Sequence, residues 1–105
     1  MTTVSKLFES MPEAFNAKKA GDMDATVQFD LSGEDGGKWF VVVADGECKV
    51  SEGETDSPTS TIRMEGSDYA ALVAGELDAM QAFMQQKIRV EGDLNTVMKF
   101  QNIFD

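Results

Sequence analysis

Leu77-Asp78-Ala79-Met80-Gln81-Ala82-Phe83-Met84-Gln85-Gln86-Lys87-Ile88-Arg89-Val90-Glu91-Gly92-Asp93-Leu94-Asn95-Thr96-Val97-Met98-Lys99-Phe100-Gln101-Asn102-Ile103-Phe104 is the stretch whose reading decides the fold. Its first part, with Met80, Phe83 and Met84, reads as a helix that begins near Leu77. Ile88–Glu91 reads as a very short strand, and Gly92-Asp93 turns the chain into a second apolar helix carrying Leu94, Val97, Met98 and Phe104. Asp93 is placed to cap that helix, because a short carboxylate accepts the free N–H groups of a first turn. Two helices rich in flexible Met and flat Phe, joined through one strand, suit an adaptable apolar space and suit a filled core equally well.

Upstream, Val4, Leu7, Phe8 and Met11 recur at helical spacing and Phe15 continues the face. Pro12 disfavours a helix interior, so two short helical pieces are expected, with a break near Ser10-Met11 and an end by Gly21. From Asp24 the period changes to two: Val27, Phe29 and Leu31 share one face, Thr26, Gln28 and Asp30 the other. After the turn cluster Ser32–Gly37, the run Lys38–Ala44 is apolar on both faces, as an inner strand would be. Asp45-Gly46 predicts a tight hairpin because both turn positions favour positive φ. Glu47–Ser51 alternates again, Glu52–Pro58 is an acidic loop, and Thr59–Glu65 is a fourth strand with Ile62 and Met64 on one face. Ser67 or Asp68 is expected to cap a helix carrying Tyr69, Leu72 and Val73, interrupted at Gly75. Helix, then strands, then helices around a last strand points to an α+β fold of about five strands, largely antiparallel, with helices on one face. The other face, with Thr26, Gln28, Lys49 and Arg63, is expected to look at water.

The 105 residues suit one domain, 42% hydrophobic and 27% charged, so an ordered fold is the default. No apolar run approaches the roughly 20 residues of a membrane span, and the N-terminus lacks the pattern of a secretory signal. The C-terminus is no Ser-Lys-Leu type of peroxisomal address. The lone Cys48 excludes an internal disulfide and fits a reducing, cytoplasmic setting. The formal net charge of −10 disfavours nucleic acid and steady docking on anionic membranes, leaving at most transient membrane contact.

Catalysis is thinly supported. There is no His, and no Ser or Thr sits in a nucleophile pattern, so a non-enzyme is expected. The acids Glu34-Asp35 and Glu52/Glu54/Asp56 lie in turns, match no calcium-loop spacing and read as solvated. No metal or cofactor is expected. Cys48 reads as a small core residue in a strand.

The order and spacing of Lys87-Ile88-Arg89-Val90-Glu91-Gly92-Asp93 and Lys99-Phe100-Gln101-Asn102-Ile103-Phe104 resemble the sterol carrier protein-2 family. So do Met11-Pro12-Glu13-Ala14-Phe15, the Lys38-Trp39 opening of the second strand, and Tyr69-Ala70-Ala71-Leu72-Val73-Ala74-Gly75-Glu76-Leu77-Asp78. The resemblance spans nearly the whole chain and looks like a stand-alone short member. It implies a five-stranded sheet with helices on one side, an apolar tunnel between them, and non-catalytic binding of a fatty acid, fatty acyl chain or sterol-like molecule. Phe29, Trp39, Val41, Met64, Leu72, Met80, Phe83, Met84, Leu94, Val97 and Met98 are then candidates for the tunnel wall, although any core would use the same set. Seven Met and seven Phe favour a wall that repacks around varied guests. Gln101 falls on the apolar stripe of the last helix, where the resemblance implies a polar handle for a head group.

The chain departs from the family in two ways. Many eukaryotic members are basic, whereas this chain is acidic, and longer members continue past the Phe104 equivalent with a tail over the tunnel. The alternative is an accessory or dimerisation module of the same fold with a filled cavity, acting as a homodimer or beside an enzyme partner.

Overall fold

In a computed structural model, which describes residues 4–33 and 36–104, the elements run α1 (Val4–Ala14), α2 (Ala17–Ala20), β1 (Ala25–Ser32), β2 (Gly37–Ala44), β3 (Glu47–Glu52) and β4 (Ser60–Glu65). They continue α3 (Gly66–Val73), α4 (Ala79–Met84), β5 (Arg89–Gly92) and α5 (Leu94–Gln101). The strands form one sheet in the order β3-β2-β1-β4-β5. β1·β2, β2·β3 and β4·β5 are antiparallel, whereas β1 and β4 are parallel, so the sheet is mixed.

Period-two patterning decides the faces. Val27, Phe29, Leu31, Val41, Val43, Ile62 and Met64 are buried on one side, and the register pairs Phe29 with Trp39 and Ile62, and Leu31 with Met64. Against this side lie the helices, and a chain of ring contacts crosses it: Trp39 on Phe8, Phe8 on Tyr69, Tyr69 on Phe29, Phe29 on Phe100 and Phe100 on Phe104. The Asp45-Gly46 turn carries φ of 55° and 73°, the left-handed pair that a two-residue hairpin needs.

A parallel β4 beside β1 requires the chain to cross from the β3 edge to the far side of β1. Residues 53–59 make that crossing over the outer face: Gly53 N–H donates to Lys38 O at 2.7 Å and Thr59 N–H to Thr26 O at 2.8 Å. Gln28 was expected in water, yet it is only 5% exposed. The crossing segment covers it, and its amide joins the two layers. Nε2 lies 3.0 Å from Trp39 O, 3.1 Å from Gly53 O and 3.2 Å from Phe29 O, while Oε1 accepts from Thr55 N–H at 2.8 Å. Elsewhere the outer face is mixed: Lys49 and Arg63 are exposed as anticipated, while Phe40 and Val42, in register with Gln28 and Thr26, are half-buried on it. Arg63 bonds Asp30 at 2.7 Å and Glu91 at 3.2 Å.

Several boundaries differ from the sequence reading: α5 ends at Gln101, so Phe104, expected within that helix, lies beyond it in an isolated bridge to Phe15. α1 continues through Pro12 and breaks at Phe15-Asn16, because Pro12 sits in the last turn and its missing N–H removes a single bond. Asn16 Oδ1 then accepts from Lys18 and Lys19 N–H to open α2. α3 starts at Gly66 straight out of β4, with Glu65 at the cap position and no side-chain cap, so neither Ser67 nor Asp68 serves. α4 starts at Ala79, where Asp78 accepts from Met80 N–H at 2.8 Å. Asp93 caps α5 as expected, accepting from Asn95 N–H at 2.9 Å and Thr96 Oγ1 at 3.0 Å. The Glu34-Asp35 pair lies outside the described residues.

Candidate functional site

The helices do not close fully on the sheet. A cavity of about 430 Å³ lies between them, within the size range of small-molecule sites. α1 contributes Leu7, Ser10, Met11 and Ala14, and the sheet contributes Phe29, Ile62 and Met64. α3 contributes Tyr69, Leu72 and Val73, and the C-terminal quarter adds Ile88, Val97, Phe100, Gln101 and Phe104. A second cavity of about 270 Å³ adjoins it under α4, walled by Ala79, Met80, Phe83, Val90, Leu94 and Met98. Ile88, Val97 and Gln101 line both. No charged side chain lines either cavity among the described residues.

The local reasons are legible. Leu7, Met11 and Ala14 share a face of α1 at spacings of four and three, so one stripe meets the cavity. Val97 and Gln101 sit four apart on α5, which Asp93 orients by capping its first turn. Ser60 Oγ donates to Asp93 O, and Asp93 N–H to Thr59 O at 3.3 Å, so the start of α5 is tied to the start of β4. Gly92 has φ of 89°, and a Cβ there would lie 2.6 Å from Thr59 O.

Of the twelve residues singled out by sequence, Phe29, Met64, Leu72, Val97 and Gln101 line the larger cavity, and Met80, Phe83, Leu94 and Met98 join Val97 and Gln101 around the smaller one. Trp39 and Val41 line neither. Val41 is fully buried within the sheet face, and Trp39 stacks on Phe8 with centroids 5.1 Å apart, so a layer of protein separates them from the cavities. Met84 is 76% exposed and borders only a surface depression on the far side of Phe83. Met80, Phe83 and Met84 fall on one stripe of α4 by spacing, but Met84 is the last residue of the helix and is not part of the smaller cavity's wall. Gln101 is exposed overall, so it stands at an opening and is not a sealed amide.

Sequence reasoning missed Tyr69, Ile62, Ile88, Phe100 and Phe104 as wall residues. The pairing of Ile62 with Met64 at spacing two was the available signal for one of them. Tyr69 is the informative omission. It is 6% exposed, its ring stacks on Phe8 at 5.2 Å and meets Phe29 edge-on at 5.6 Å, and burial pushes its phenol well above the ordinary range. At neutral pH it is therefore a fixed O–H. Cys48 is half-buried, and burial raises its thiol as well. The acid Glu54 pairs with Lys38 across the crossing segment and is held below the ordinary carboxylate range by that hydrogen bond.

A family model described as the SCP-2 sterol transfer family matches residues 4–105. The chain belongs to the SCP-2 sterol transfer family. Among SCP-2 relatives, hydroxysteroid dehydrogenase-like protein 2 of Xenopus laevis is 26% identical over 101 residues, covering 95% of this chain and 24% of that protein. Human sterol carrier protein 2 is 32% identical over 100 residues, covering 95% of this chain and 18% of that protein. The chain thus spans a quarter or less of these curated relatives. The crystal structure of the SCP2-like 2 protein from Aedes aegypti superposes with a TM-score of 0.79 at 20% identity, covering 96% and 93% of the two chains. That likeness establishes the SCP-2 fold, an α+β arrangement with a five-stranded mixed sheet. No helix among the described residues is long and apolar enough to cross a membrane.

Proposed function

We propose that this protein binds a long apolar molecule, a fatty acyl chain or a sterol-like lipid, without chemistry and passes it between sites in the cytoplasm. The observation that carries this reading is the pair of adjoining cavities that share Ile88, Val97 and Gln101, walled by uncharged side chains among the described residues. We read the two together as one tunnel. Each methylene moved from water into such a wall contributes about 0.8 kcal/mol, so an alkyl chain needs few polar contacts to be held. Membership of a sterol transfer family supports the same reading. Met80, Phe83, Leu94 and Met98, each 46–72% exposed around the smaller cavity, offer an apolar mouth through which a chain enters.

The test is a titration of delipidated protein with a fluorescent acyl probe, read by energy transfer from Trp39, which stands two ring contacts from the cavity through Phe8 and Tyr69. Saturation near one equivalent is expected, competed by unlabelled acyl chains. Ala14→Phe points a ring into the larger cavity and should weaken long chains more than short ones; displacing about three methylenes costs roughly 2 kcal/mol, or some thirtyfold. Absence of saturable transfer by folded protein would leave the accessory or dimerisation module as the better reading. That reading draws on the relatives, in which this piece is a quarter or less of a longer chain.

A further inference from the structure

Among the described residues, the wall of the larger cavity holds three polar side chains, Ser10, Tyr69 and Gln101. Ser10 is engaged, its hydroxyl donating to Leu7 O at 3.1 Å. Tyr69 is not: its hydroxyl makes no hydrogen bond to any described residue, although more than nine-tenths of the residue is buried. No polar side-chain atom is sealed away without a partner among the described residues, so that hydroxyl reaches open space, and the space Tyr69 borders is the cavity. Phe8 and Phe29 hold the ring on two sides, which fixes where the hydroxyl sits. A hydroxyl with no protein partner that opens into an apolar cavity is free to bond a ligand atom there.

Resting on the lipid-binding reading above, we propose that the Tyr69 hydroxyl holds the ligand's head group, so that the cavity selects long-chain molecules with an uncharged polar head, such as alcohols, esters or ketones, over ionised fatty acids. A phenol both donates and accepts, so it serves a carbonyl or a hydroxyl alike. An ionised carboxylate fares differently. Among the described residues neither cavity has a lysine or arginine in its wall, and the chain carries a net charge of −10. Burying an anion with no counter-ion is among the most expensive steps available to a protein. Outside the cavity, Arg63, Lys87 and Arg89 border a surface pocket that meets it only through Met64. Arg63 is already bound to Asp30 and Glu91, and Glu65 and Asp68 share that pocket, so its cations are largely offset.

Displacement of the fluorescent acyl probe by dodecanol, methyl dodecanoate, dodecanoate and dodecane tests this, at a pH where the acid is fully ionised. Dodecanol and methyl dodecanoate should bind at least tenfold more tightly than dodecanoate. Tyr69→Phe keeps the stacked ring and should weaken the alcohol and ester by roughly five- to tenfold while leaving dodecane unchanged. Dodecanoate binding as tightly as dodecanol would overturn the proposal while leaving lipid binding intact. Loss of that binding in Lys87→Gln or Arg89→Gln would then put the head group on the outer surface. Unchanged alcohol affinity in Tyr69→Phe would equally overturn it, and the ranking on the parent protein stands even if the variant folds poorly. If none of the four competes and the probe itself does not bind, the lipid-binding reading fails with it.

Discussion

Gln28→Leu separates a structural amide from a surface one. In the parent, the Gln28 amide satisfies the Thr55 N–H at 2.8 Å and the Gly53 carbonyl at 3.1 Å, two groups of the segment that crosses the outer face. Trp39 O and Phe29 O lie in strands, where ladder bonding lessens their dependence on the amide. Leucine fills similar space but strands the two crossing-segment groups at about 1–1.5 kcal/mol each, so a loss of roughly 2–3 kcal/mol is expected. Set against the 5–15 kcal/mol typical of a domain, that is a large fraction. Urea unfolding followed by Trp39 fluorescence should show a lower midpoint with an unchanged slope. Gln28→Glu should be worse above the carboxyl's pKa, because it keeps an acceptor for Thr55 but sets an anion against the Trp39 and Gly53 carbonyls. A change below about 0.5 kcal/mol in Gln28→Leu, the scatter of ordinary surface substitutions, would refute the reasoning.

Gly92→Ala should destabilise by on the order of 2 kcal/mol, from a left-handed φ and a Cβ 2.6 Å from Thr59 O, seen as a lower thermal midpoint; a neutral result would contradict the tight β4–β5 approach. Cys48 should react with a disulfide reagent more slowly than an unstructured thiol near neutral pH, because burial raises its pKa and reduces the thiolate fraction; its rate should climb only as pH rises well past the ordinary cysteine range, and a rate equal to that of a free thiol would argue against its half-buried setting.

Much of the architecture was legible because it rests on local patterns. The alternation Val27, Phe29, Leu31 assigned a face to β1, Asp45-Gly46 marked a hairpin, and Asp93 marked the start of α5, each through chemistry confined to a few residues. The misplacements have local causes too. Pro12 was weighed as an interior proline when it stands in a last turn, and α3 begins without a capping side chain. The site was only half legible: Phe29, Val97 and Gln101 were named, but Tyr69 was passed over as one more apolar helix residue, and Trp39 and Val41 were included although they lie behind the wall.

By itself the sequence determined the α+β composition, the strand faces, the acidic charge and the lack of a histidine, since these depend on residue identity and short-range periodicity. Only the tertiary structure decided that β4 inserts parallel beside β1, that this crossing buries Gln28, and that the apolar faces stand apart around a cavity. Periodicity states which side of an element is apolar. Whether two such sides touch or leave room between them depends on how several elements, distant in sequence, hold one another at a distance.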